Sequence, residues 1–390
     1  MDGVIAGLLI LQVIGLAGML FLGGRRMRPA KAPPAAVAPV SLIVPLSGGS
    51  PAVEAGLRSL LAQDHPDYEL VLVTESETDD AVPWIRALVD AEAARGCRRR
   101  LHVTAGPAVS CAQKNRNLLA GVGASDPGRP LLAFCDAGRV AAPDWLRQLT
   151  GPLAAGAGTV ATGYHDIRAS ASTVASAGRA LTVLVLGLLQ HVPGLAQPWG
   201  GAMAMPRSLF AELDLAGYWA AQVVDDVALA RRLREHGLRV LPVPAAQLCT
   251  PLESAAWSDW AGWLSRQLFF LRVYFPVAWC VGGIWGYSLA LLLAAAAWRA
   301  VVTGSIAVLA ALGLFTLLVV ALRRFHPAPD PAGRWALAGW AAVFVGCGCH
   351  AWTGLVRRIG WRGITYGVAR DGSVRVSRSR DRSSRTRGPS

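Results

Sequence analysis

LLAFCDAGRV, residues 131–140, is an apolar run that stops at a single acid. Leu131 to Cys135 carry no charge, Asp136 follows at once, and a small residue, a glycine and Arg139 come next. Runs of the same kind recur at VSLIVPL (40–46), YELVLVTE (68–75), RLHVTAG (100–106) and TVATGYH (159–165). Helical patterns stand between them: VEAGLRSLLAQ (53–63), AVPWIRALVDAEAARG (81–96) and QKNRNLLAGVGA (113–124). This alternation predicts an α/β fold, a mostly parallel sheet covered on both faces. Such sheets bind ligands at the carboxyl ends of their strands. Asp136 therefore stands where the sheet would present its chemistry.

The chain of 390 residues is 53% hydrophobic and 16% charged, too apolar for an ordinary soluble enzyme of this size. Val4 to Leu22 form an apolar run followed by Arg25, Arg26, Arg28 and Lys31. The charges follow the run, so residues 1–28 read as a retained transmembrane anchor, with a Pro/Ala linker over 29–39. The positive-inside rule then places residues 40–255 in the cytoplasm. Three further apolar runs, Val277–Trp298, Gly304–Leu322 and Trp335–Leu355, predict two to three transmembrane helices over 277–356. Three crossings would carry the basic tail outside, against the charge rule, and two would keep it inside. Either one run is re-entrant or interfacial, or the rule fails. WSDWAGWLSRQLFFLRVYF (257–275) mixes Trp, Phe and Arg, so 256–276 reads as an interfacial amphipathic segment. The tail, 357–390, holds ten arginines against Asp371 and Asp381, and its end is Arg/Ser-rich and expected to be disordered. Basic residues confined to a tail without an aromatic platform point to anionic lipid and exclude a nucleic-acid partner. The seven cysteines are scattered, with no CxxC pair, and imply no oxidising compartment.

Acids recur at three places. In TESETDDAV (74–82), Glu75, Glu77, Asp79 and Asp80 form either a solvated polar turn or a carboxylate grip on a ribose or base edge. Asp136 either caps the next helix or offers oxygen to a hard divalent cation. In QVVDDVALARRLREHGLRV (222–240), Asp225 and Asp226 open a helix. They complement its dipole, or one of them serves as a base beside a reacting hydroxyl. PWGGAMAMP (198–206) holds Gly200 and Gly201, a tight turn or a place of close backbone approach. LTVLVLGLLQHVPGLA (181–196) is a buried helix or one that dips into the interface, and periodicity does not separate the two.

In this order the motifs resemble those of membrane-anchored family 2/21 glycosyltransferases, particularly ceramide glucosyltransferases and bacterial hopanoid-associated glycosyltransferases. The resemblance covers about residues 1–366 and runs through SLIVPL, TESETDDAV, QKNRNLLAG, FCDAGRV, GGAMAMP, VVDDVALARRL and RRIGWRGITYG. It implies a GT-A fold and inverting transfer of glucose or N-acetylglucosamine from a UDP-sugar to a lipid hydroxyl of ceramide or hopanoid type. It puts Pro45, Glu75, Asp79, Asp80, Lys114 and Asp136 on the donor side, with Mg²⁺ or Mn²⁺ at Asp136. Asp226 becomes the base, with Asp225 as the alternative. Gly200, Gly201, Arg266, Gln267 and Arg272 fall on the acceptor side. The chain departs from the family's (Q/R)xxRW motif: Arg266 and Gln267 match its front, but Phe269 and Phe270 replace the Arg–Trp pair. That departure keeps a second class of reading open, a non-catalytic GT-A-fold membrane binding or scaffold protein. A processive polysaccharide synthase is a third, though it would normally keep the Trp motif and carry more spans.

Overall fold

The computed structural model describes residues 1–27, 36–94, 100–253 and 256–378. Arg28, Lys31, most of the expected linker and the tail beyond residue 378 lie outside them.

The first half alternates as expected. After helix α1 (Asp2–Arg26) come β1 (Val40–Pro45), α2 (Pro51–Leu61), β2 (Tyr68–Thr74), α3 (Val82–Ala94), β3 (Arg100–Thr104), α4 (Gln113–Ala124) and β4 (Leu131–Cys135). Next are β5 (Val140–Ala141), α5 (Trp145–Ala154), β6 (Ala161–Ala169), α6 (Val174–Gln190) and β7 (Ala202–Pro206). Then follow α7 (Arg207–Glu212), α8 (Leu215–Trp219), α9 (Asp226–Glu235), β8 (Leu241–Leu252) and α10 (Trp257–Tyr274). The chain continues with α11 (Pro276–Thr303), α12 (Ile306–Ala321), α13 (Ala332–Leu355), β9 (Arg358–Trp361), β10 (Ile364–Val368) and β11 (Val374–Arg378).

Eight strands form one mixed sheet in the order β3-β2-β1-β4-β7-β6-β8-β5. The β3-β2-β1-β4 half is parallel, and β7 enters antiparallel to both β4 and β6. Side chains alternate across the pleat. Leu42 and Val44 of β1 join Leu57 and Leu60 of α2 on one face, while Ile43 joins Phe134, Met203 and Trp219 on the other. Both faces are covered, and this explains why the strands read as continuous apolar runs.

Among the described residues, four helices are long and apolar enough to cross a membrane: Asp2–Arg26, Pro276–Thr303, Ile306–Phe325 and Ala332–Leu355. Helix α6, the stretch with two open readings, joins them to the sheet. Its Leu181, Leu184 and Leu188 share one core with Tyr164 of β6 and with Leu9, Leu20, Leu289 and Phe315 of the long helices.

The contacts at the two ends of α13 place those ends relative to the sheet. An ion pair between Asp2 and Arg299, 2.5 Å, marks the end of the bundle far from the sheet. At the near end, Phe325 meets Phe21 at 5.7 Å between ring centroids, and Trp335 at the start of α13 lies 5.5 Å from His326. The other end of α13 also returns to the near side. His350 stacks on Trp279, in the first turn of α11, at 3.9 Å, and Arg272 Nη2 donates to the Val356 carbonyl at 2.5 Å. Helix α13 therefore runs across the bundle, and the chain emerges on the side of the sheet.

The segment read as the start of a basic tail is a three-stranded antiparallel sheet, in the order β11-β10-β9. Its period-2 pattern is hidden by the interleaved arginines. Ile359 and Tyr366 are buried on Phe269, Phe270 and Tyr274 of α10, with Val374 and Val376 packed alongside.

Candidate active site

The carboxyl ends of β1, β2 and β4, the first turns of α4 and α9, helices α6 and α10, and the β9–β10 hairpin surround a cleft of about 550 Å³. Pro45, Glu75, Lys114, Asp136, Asp225, Asp226, Arg266 and Gln267 all line it. The apolar strand β4 brings Asp136 to the sheet edge, as expected from LLAFCD.

Lys114 is the hub. It sits one residue into α4, whose first residue, Gln113, donates to Asn117 Oδ1 at 2.9 Å. Its Nζ lies 2.8 Å from Asp136 Oδ1 and 3.1 Å from Asp225 Oδ2. Burial disfavours the ammonium, but the charges of Asp136, Asp225 and Asp226 outweigh burial and raise its pKa. Burial also works against the ionised form of Asp136, yet Lys114 and Arg139 hold that carboxyl below its ordinary range.

The adjacent acids of α9 differ in placement. Asp225 is 1% exposed. Burial pushes it up to about 6, against the pull of Lys114 and with the repulsion of Asp226 and Asp136. Asp226 is more open to the cleft. Its Oδ2 accepts the Gly200 N–H at 2.9 Å and its Oδ1 the Val227 N–H at 2.7 Å. Burial raises it too, while Lys114 and those two N–H groups oppose the rise. Gly200 is required by close approach, because a Cβ there would collide with Asp225 and Lys114.

Other expected residues sit elsewhere. Asp79 accepts the Gly48 N–H at 3.0 Å and the Ala81 N–H at 2.9 Å, so it ties the β1–α2 loop to the start of α3. Asp80 and Arg272 are outside the cleft lining, and Arg272 stacks on Phe269 at 5.1 Å. Gly201 packs against the Trp199 ring.

The sequence reading missed the arginines and the aromatic floor. Arg139, Arg179 and Arg362 line the cleft beside Arg266. Burial lowers Arg179 to about 10, with Arg139 and Arg266 adding repulsion. Its guanidinium lies 5.4 Å from the Trp263 ring. His165 stacks on Trp199 at 4.3 Å, its Nδ1 is 2.6 Å from Thr250 Oγ1, and burial keeps the ring neutral. The signal available was a lone Arg179 in the apolar α6.

A second cavity, about 350 Å³ and almost wholly apolar, lies among α1, α6, α10, α11, α12 and α13. Leu186 lines both it and the charged cleft.

The profile described as Glycosyl transferase family 21 matches residues 7–374. No curated protein matches the chain. Among solved structures, the mannosyltransferase PcManGT from Pyrobaculum calidifontis, in complex with GDP-Man and Mn²⁺, is similar with a TM-score of 0.57 and 18% identity, over 90% of this chain and 99% of that one. A glucosyl-3-phosphoglycerate synthase from Mycobacterium tuberculosis aligns more loosely, with a TM-score of 0.38 and 20% identity, over 60% of this chain and 79% of that one. The first likeness establishes the GT-A-like fold.

Proposed function

The chain belongs to glycosyl transferase family 21, and from that premise we propose that it transfers a hexose from a UDP-sugar, with inversion, to the hydroxyl of a lipid of ceramide or hopanoid type. The observation that carries the lipid acceptor is the wall shared at Leu186, where a charged cleft adjoins an apolar cavity among membrane-length helices. A hydroxyl headgroup in the cleft and a hydrocarbon chain in the cavity suit the two chemistries. Arg25 and Arg26, which close α1 on the side of the sheet, favour a cytoplasmic site.

Asp226 is the proposed base. It is the more accessible acid of its pair, and its raised pKa suits proton abstraction near neutral pH better than an ordinary carboxylate. The Gly200 N–H fixes the orientation of that carboxylate. Asp225, interior and paired with Lys114, positions the lysine. Lys114 and Arg139, both beside Asp136, offer cations to a departing diphosphate.

A divalent cation fits this donor set. Asp136 lines the cleft, and Lys114 and Arg139 hold its carboxyl below the ordinary range, so it presents ionised oxygen to a hard cation. No group of three His, Cys, Asp or Glu side chains forms a cage among the described residues. One or two carboxylates plus substrate phosphates is the usual setting for Mg²⁺. When bound, Mg²⁺ or Mn²⁺ would neutralise charge on the diphosphate, with Asp136 as its protein ligand.

The test is transfer of radiolabel from UDP-glucose or UDP-N-acetylglucosamine into organic-extractable lipid, using the full chain in nanodiscs with ceramide, hopanoid polyol and diacylglycerol. Label in a ceramide or hopanoid glycoside supports the reading. Label recovered only in water-soluble sugar or polymer would overturn it.

A further inference from the structure

The hairpin that follows the last long helix ends over the mouth of the cleft. Ile364 pairs with Trp361, which leaves Arg362 and Gly363 as a two-residue turn. Both residues have left-handed backbones, φ +48° and +75°. Turns with two positive φ values favour Asn-Gly, because Asn tolerates this conformation and most other side chains do not. Arginine at the first position is therefore unfavourable for the turn itself. Such strain persists where the surroundings impose it, and it collects at ligand sites.

The surroundings impose it here. Tyr366, on β10, is 2% exposed, and its hydroxyl accepts the N–H of Gln113, the residue before Lys114, at 3.3 Å. Ile359 and Tyr366 rest on Phe269 and Phe270. These are the two residues that replace the Arg–Trp pair of the (Q/R)xxRW pattern. Phe269 sends no charge into the cleft; with Phe270 it forms the apolar seat of the sheet that carries Arg362. From that seat the hairpin crosses to the opposite rim, where Arg362 Nη1 donates to the carbonyl of Ser47, just beyond the carboxyl end of β1. The charge of Arg362 is felt at both Asp136 and Arg266.

We propose that Arg362 is a ligand of the donor's diphosphate: its guanidinium exchanges the Ser47 carbonyl for phosphate oxygens and holds the hairpin closed over the nucleotide. The exchange is favourable because a carbonyl offers one neutral oxygen, while a phosphate offers charge and a bidentate edge that matches the guanidinium fork. The inference rests on the nucleotide-sugar reading above and adds to it a residue and a direction of approach.

The variant that tests it is Arg362→Asn, which keeps the turn and removes the cation. The full chain in nanodiscs is titrated, without acceptor, with UDP and GDP and with the matching nucleosides. Thermal unfolding is followed in parallel. The expected result is a melting temperature equal to or above wild type, a loss of at least tenfold in affinity for the nucleoside diphosphate, and unchanged affinity for the nucleoside. Equal affinity for the diphosphate in wild type and variant overturns the inference alone. Weakened binding accompanied by a lowered melting temperature also overturns it, since that marks a structural role. A wild type that binds neither UDP nor GDP overturns the donor reading and this inference together.

Discussion

Lys114 holds its ammonium 3.1 Å from Oδ2 of Asp225, a carboxylate that is 1% exposed. The same ammonium is 2.8 Å from Asp136. One cation therefore serves carboxylates that come from two elements distant in sequence, β4 and α9. A buried charge needs such a partner, and removing one member strands the others.

Lys114→Met removes the attraction that keeps these carboxylates ionised. Their pKa values rise, so the acidic limb of the kcat/KM profile moves to higher pH by about one unit. Stability falls by about 3 kcal/mol as buried charge is left unpaired. A pH–rate profile of wild type and variant checks the shift, and a limb that stays in place or moves down refutes the hub assignment.

Asp225 predicts a pH dependence of stability. Its folded-state pKa is about 6, above the value of about 3.9 expected in the unfolded chain. The folded state therefore binds more protons between those values. The stabilisation from this group is complete below about pH 4 and is lost as pH rises through about 6. Melting temperatures across pH 4–7 should fall through that window in wild type and fall less steeply in Asp225→Asn. Identical slopes in the two proteins count against a buried, proton-retaining Asp225.

Gly200 and Gly262 offer a matched pair. A methyl on Gly200 meets Asp225 and Lys114, whereas one on Gly262, exposed on α10, meets nothing within 4 Å. Gly200→Ala should destabilise by about 1–3 kcal/mol through overpacking and lower kcat about 100-fold by displacing the site. Gly262→Ala should stabilise by about 0.5–1 kcal/mol and leave kcat unchanged. Thermal unfolding with kcat measured on both variants decides it, and similar behaviour in the two would remove close packing at Gly200 from the account.

The sheet and the acids were legible because each depends on a local pattern. LLAFCD showed a buried strand with an acid at its edge, QKNRNLLAGVGA gave the bounds of α4, and VVDDVALARRL marked a helix start. The residues that were missed depend on long-range placement. Arg139 stands three residues after Asp136, but its place in the cleft wall, 6.0 Å from the Trp199 ring, is set by the tertiary fold. Arg362 reads as tail charge in the sequence, because the ten arginines outweigh the alternation of Ile359, Ile364, Tyr366, Val374 and Val376. Hydropathy gives α13 the composition of a span, and only the long-range contacts of its two ends put both on the side of the sheet. The hydrogen bond of Asp79 to the Gly48 N–H likewise depends on the fold and has no local signal.

The apolar cavity predicts acceptor selectivity. Gly346 lines it, and a Cβ there meets nothing within 4 Å. Gly346→Leu should fill space that a hydrocarbon chain would occupy. KM for long-chain acceptors should rise about tenfold, the value of one to two buried methylenes, with little change for short-chain analogues. A uniform change across chain lengths would detach the cavity from the acceptor.

The most direct measurement compares wild type with Asp226→Asn in nanodiscs, scoring sugar transfer to lipid and donor binding separately. The account predicts a fall in kcat of about 10²–10⁴-fold, the range expected for a lost general base, with the dissociation constant for the donor unchanged. Near-wild-type transfer by Asp226→Asn, or a loss explained wholly by weaker donor binding, would contradict the assignment of Asp226 as the base.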